Sequence, residues 1–117
     1  MLQSHRELKV WQSAMSLVQL IYELSAAFPE EETFGLKNQI RRAAISIPSN
    51  IAEGLGSNEE RTAHLYIALG ALATLETQLE ISKMLGYVKG IEIIEENMKY
   101  TTKAVSKLIK ELKKEYK

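Results

Sequence analysis

Two histidines and fifteen glutamates are the residues of this 117-residue chain that could ligate a metal, for it contains no aspartate and no cysteine. A di-iron site in a helical bundle needs Glu-x-x-His pairs one turn apart on facing helices. The nearest candidate, Glu60 with His64, has the wrong spacing and no counterpart, and His5 lies in the terminal arm. The absence of cysteine excludes disulfides and thiolate metal sites, and it suits a reducing cytoplasm. The stretch "GLGS" at 54–57 precedes a helix and could hold an anion at its N-terminus, but Glu59 and Glu60 stand where the anion would be. No residue is therefore assigned to catalysis, a metal or a cofactor, and the reading is non-enzymatic.

The remaining candidates are charged side chains in unusual places. In "QIRRAAISIPSNIAEG", residues 39–54, Ile40, Ala44, Ile47 and Ile51 share one face at 100° per residue. Arg42, Ser46, Ser49 and Glu53 form the narrow polar strip, and Arg41 falls on the flank of the apolar face. Glu76 likewise falls near the centre of an apolar arc made by Leu65, Ala68, Leu69, Leu72, Leu75 and Leu79. A buried carboxylate is costly unless paired, so Glu76 is predicted to meet Arg41 or Arg42 in a structural ion pair that fixes helix register. Pro48 cannot donate a backbone hydrogen bond, which predicts a kink, with Ser46, Ser49 and Asn50 able to bond the freed groups.

A second charge pattern marks the end of the chain. Lys99, Lys103, Lys107, Lys110 and Lys114 recur at three- and four-residue steps, while Glu92, Glu95 and Glu96 crowd the start of the same helix. That order complements the helix dipole and needs no ligand. The functional alternative is a ridge that tracks the phosphates of RNA or DNA. The net charge of zero gives no global pull toward nucleic acid or anionic lipid.

Four helices must carry these groups. They are expected at about residues 8–28, 34–54, 58–85 and 91–115, after an N-terminal arm at 1–7. Pro29 stops the first, "EGLGS" breaks the second, Ser57 with Glu60 has the form of a capping box for the third, and Gly86 ends it. In the fourth, Ile91, Ile94, Met98, Thr101, Val105, Leu108 and Leu112 form a narrow seam. Short loops between amphipathic helices give an all-α, up-down-up-down four-helix bundle with a proline-kinked second helix. No apolar run reaches the roughly 20 residues a membrane span needs, and the opening "MLQSHREL" lacks the apolar core of a signal peptide.

The third helix carries more apolar surface than one bundle requires. Ile67, Ala71, Ile81 and Leu85 lie opposite its main arc, and Gly70 and several alanines permit close helix approach. A helix apolar on nearly all sides is buried on nearly all sides, so these four residues are the expected subunit interface of a homo-oligomer.

The stretches "ELKVWQSAMSLVQLIYELS", "FGLKNQIRRAAISIPSNIAEGLG", "YIALGALATLETQL" and "LGYV" together resemble the 23S ribosomal RNA intervening-sequence proteins over about residues 7–88. The resemblance implies a bacterial cytoplasmic four-helix bundle, a barrel-like pentamer and no enzymatic activity. A related branch, the basic accessory proteins of diversity-generating retroelements, implies nucleic-acid binding. Members often carry basic residues after "IAEG", whereas Ser57, Asn58, Glu59 and Glu60 follow here. Two functions stand: an oligomeric scaffold with a protein partner, or a nucleic-acid-binding module.

Overall fold

In a computed structural model, which describes residues 4–56 and 61–115, the chain folds into four α-helices and two single-turn 3-10 segments. The helices are α1 (Lys9–Ser25), α2 (Leu36–Gly54), α3 (Arg61–Met84) and α4 (Glu92–Glu115). They pack in cyclic order, α1 on α2, α2 on α3, α3 on α4 and α4 on α1, in a bundle measuring 48 × 25 × 22 Å. The 3-10 segments His5–Glu7 and Glu30–Glu32 precede α1 and α2. The expected arm is thus partly structured, with His5 stacked edge-on against Trp11 at 5.1 Å. The capping box of Ser57 and Glu60, and the other residues of 57–60, lie outside the described residues.

The core follows the heptad-like spacing of each helix. Ala14, Leu17 and Ile21 of α1 meet Ile40, Ala44, Ile47 and Ile51 of α2, Leu65, Ala68, Leu75 and Leu79 of α3, and Val105 of α4. Gly54 permits the close approach of α2 and α3, because a Cβ there would lie 2.6 Å from Leu65 Cγ. At the lower end of α4 the seam passes through Ile109, which is buried, while the expected Leu108 is only half-buried.

Helix α2 remains helical through Pro48, which is itself buried in the core. Ser49 Oγ donates to Ile45 O at 2.8 Å, and Asn50 Nδ2 donates to Ser46 O at 2.9 Å. These side chains therefore bond the carbonyls of residues 45 and 46, not the Ala44 carbonyl that Pro48 leaves without its usual donor. Asn50 also ties α2 to α3. Its Nδ2 is committed to Ser46, so its Oδ1 accepts from His64 Nδ1 at 3.3 Å.

Helix α3 ends on Gly86, whose φ of 78° is the left-handed geometry of a C-terminal stop. Gly86 N donates to Lys83 O and Tyr87 N to Ser82 O, which closes the last turn. The reversal swings Tyr87 over Phe28, with ring centroids 5.5 Å apart, and lets Tyr87 Oη donate to Glu32 Oε2 at 2.8 Å. Glu32 Oε1 meanwhile accepts from Leu36 N at 3.0 Å, capping α2. Both hydrogen bonds favour the carboxylate and hold Glu32 below its ordinary range, the backbone bond most, while the Glu32 bond raises Tyr87. One carboxylate thus clamps the two loops at this end of the bundle.

Candidate functional site

The expected ion pair between Glu76 and Arg41 or Arg42 does not form. Arg41 turns toward α1, where its Nε donates to Ser25 Oγ at 2.7 Å and its Nη2 to Tyr22 O at 3.1 Å. Its guanidinium carbon also lies 4.3 Å from the Tyr22 ring centroid. The flank of α2 that carries Arg41 faces α1, and α3 lies on the opposite flank, where Asn50 meets His64. Arg42 is exposed. Glu76 is exposed as well, because α3 turns its Leu65/Ala68/Leu72/Leu75/Leu79 line inward and leaves Glu76 on the wall of an open groove beside α4. Nothing in the sequence distinguished the serine partner from a glutamate, since Ser25 reads as an ordinary polar residue near a helix end.

A second polar contact was also hidden. Thr101, fully buried in the seam, shares a hydrogen bond with Ser13 Oγ at 2.9 Å and lies 3.0 Å from Asn97 Oδ1. Asn97 Nδ2 donates to Ser13 O at 3.0 Å. The network pins α1 to α4 in one register, since a one-turn slip would orphan the buried Thr101 hydroxyl and part its half-buried partners Ser13 and Asn97.

The outward surface of α3 is the most unusual one. At 100° per residue, positions 63, 66, 67, 70, 73, 74, 77, 81, 84 and 85 fall on an arc of roughly 120° opposite the core. They are Ala, Tyr, Ile, Gly, Ala, Thr, Thr, Ile, Met and Leu, with no charged residue among them. Glu76, Glu80 and Lys83 all lie to one side, toward α4. Within one chain Tyr66 is 48% exposed, Ile67 51%, Met84 76% and Leu85 48%. Ala71 and Ile81, also expected at a subunit interface, are partly covered. At the margin, Lys113 Nζ donates to Tyr66 Oη at 2.6 Å. Gly70 sits in the middle of the arc, and a Cβ there would meet nothing within 4 Å. A mid-helix glycine costs stability relative to alanine, and no contact among the described residues accounts for it.

These features, a proline-bearing α2 closed by Gly54, an α3 rich in small residues and a bundle closed by α4, all lie within residues 6–114, the span that matches the 23S rRNA-intervening sequence protein family. The chain belongs to that family. The match takes in α4, where the resemblance in sequence stopped short. No curated protein matches the chain.

In this intervening-sequence family protein the lysines of the last helix stand on the outside of the bundle. Lys99, Lys103, Lys107, Lys110 and Lys114 are all exposed and fall on an arc of roughly 80° opposite the buried seam. The stripe runs about 22 Å along α4. None of the five forms an ion pair with a described residue. Among the described residues no group of three acidic or histidine side chains could hold a metal ion, and no helix is long and apolar enough to cross a membrane.

Proposed function

We propose that this protein is a non-enzymatic scaffold of the bacterial cytoplasm that works as a homo-oligomer, with the outer face of α3 packed against a neighbouring copy. The observation that carries the reading is the charge-free arc centred on Gly70. An exposed face of apolar and small residues without a charge supports this reading, since large exposed apolar patches on small domains are typical of interfaces. A glycine with open space above its Cα permits a second helix to approach closely. Resemblance to the family's barrel-like assemblies favours five copies, and a repeated head-to-tail contact that closes gives such a ring. The ring then presents five copies of the remaining surface to a protein partner. Placing a charge in the arc tests the reading. Ile67→Glu is expected to lower the mass measured by light scattering while leaving helix content unchanged. An unaltered mass would remove the α3 face from the assembly.

A second reading rests on the lysine stripe, whose five exposed cations lack carboxylate partners among the described residues. In a ring it would repeat around the assembly and track a nucleic-acid backbone. Binding to single-stranded RNA or DNA should then weaken steeply with salt, and Lys103→Gln with Lys107→Gln should flatten the slope. No binding at low salt would leave the protein-scaffold reading alone.

A further inference from the structure

We propose that the concavity between the end of α1 and the first turns of α2 binds a phosphate group. It is an open concavity of about 280 Å³ lined by Lys37, Arg41 and Arg42, with Asn38, Thr33, Tyr22 and Ile45 completing the walls. No carboxylate lines it, in a chain with fifteen glutamates. Lys37, Arg41 and Arg42 make no ion pair with any described residue. Three cations held together without counter-charge repel one another, and an anion relieves that repulsion.

The position of Lys37 strengthens the case. It lies in the first turn of α2, where the helix dipole disfavours a cation, and that turn holds no acidic residue. Of the three glutamates that precede α2, Glu32 is engaged by Leu36 N and Tyr87 Oη, and Glu30 and Glu31 are exposed and do not line the concavity. The helix N-terminus is therefore capped from within, and none of the three cations is neutralised by a described carboxylate.

Arg41 supplies preorganisation. Ser25 Oγ and Tyr22 O hold one edge of its guanidinium, and the Tyr22 ring stacks beneath it. The guanidinium is fixed before a ligand arrives, and its end-on pair, one proton on Nη1 and the second proton on Nη2, is not used by these contacts and suits two oxygens of an oxyanion. Fixing a donor in advance lowers the ordering cost of binding. Asn38, one turn before Arg42, adds a neutral amide donor. Thr33 does not, since its hydroxyl proton already goes to Glu30 O at 2.7 Å. The volume is below the roughly 300–1,000 Å³ of small-molecule pockets and suits a phosphate or diphosphate group, with whatever carries that group left outside the concavity. The group could belong to a free polyphosphate or to the backbone of a single-stranded nucleic acid. The inference draws on none of the observations used for the assembly: the concavity lies between α1 and α2, and the charge-free arc lies on α3.

The test is calorimetric titration of inorganic pyrophosphate into the full chain, at low and at physiological salt. One saturable site per chain is expected. Its affinity should fall about tenfold or more in Lys37→Gln/Arg42→Gln and stay unchanged in Lys103→Gln/Lys107→Gln. Both pairs are surface changes that leave Arg41 and its contacts in place. Amide chemical shifts of the unmodified protein should move at residues 37–42 on pyrophosphate addition, which gives the same answer without substitution. No saturable binding, or equal loss in both variants, would overturn the proposal. A single-stranded oligonucleotide that pyrophosphate displaces, and that binds the Lys37/Arg42 variant more weakly, identifies the ligand as a phosphodiester. Pyrophosphate binding without such competition identifies it as a free polyphosphate.

Discussion

Gly70→Ala gives opposite results for a solvated and a covered α3. Position 70 is exposed within the chain, and the added methyl would meet no atom within 4 Å. In an isolated bundle the only effects are those of helix propensity and unfolded-state entropy, so alanine stabilises by about 0.5–1 kcal/mol. For a small domain that raises the melting temperature by several degrees. If the face is packed on a neighbouring copy through a close helix crossing, the methyl must enter the contact instead. Overpacking costs about 1–3 kcal/mol at such a site, which weakens each contact by roughly 5- to 150-fold. The assay is light scattering and urea unfolding on wild type and variant over a range of protein concentrations. The account predicts a variant that dissociates at concentrations where the wild type stays assembled, and whose single chains unfold at slightly higher urea. A variant of unchanged mass that is simply more stable at every concentration would refute the reasoning.

Other consequences follow from single contacts. Arg41→Lys removes the fork that reaches Ser25 and Tyr22 together, so a loss of about 1–2 kcal/mol in urea unfolding is expected although the charge is kept. Thr101→Val leaves Ser13 and Asn97 short of a buried partner and should cost about 1–2 kcal/mol by the same measurement. The Glu32–Tyr87 clamp makes stability depend on pH at both extremes. The lowered Glu32 group contributes stability above its unfolded value of about 4.3, lost as pH falls through the folded value. The raised Tyr87 group contributes below its unfolded value of about 10, lost as pH rises through the folded one. Tyr87→Phe should reduce both slopes in melting curves taken across pH.

The helices were legible because each carries an apolar stripe at helical spacing with punctuation at its ends. Pro29 and Gly86 mark two boundaries, and α1 nevertheless stops at Ser25 because Phe28 turns into the core beneath Tyr87. The Arg41 partner was not legible. Burial patterns identify which flank a residue occupies, but the choice between α1 and α3 depends on the handed order of helices around the bundle, which periodicity does not encode. Glu76 misled for a related reason. Its arc was read to include Leu69 with Leu65, Ala68, Leu72, Leu75 and Leu79, whereas Leu69 is only partly buried and the other five form the core line, a small rotation that exposes the carboxylate. The charge-free outer arc of α3 was partly visible as Ile67, Ile81 and Leu85, while Ala71, expected with them, lies beside the arc and is partly covered. The sense of Gly70 needed coordinates, since only they show the empty space above its Cα.

The central claim is that the outer face of α3 is covered by another copy of the chain. Sedimentation equilibrium of the unmodified protein tests it most directly. The expected mass is a whole multiple of 13.2 kDa greater than one, and it holds down to low micromolar concentration. A mass of one chain throughout the concentration range would contradict it.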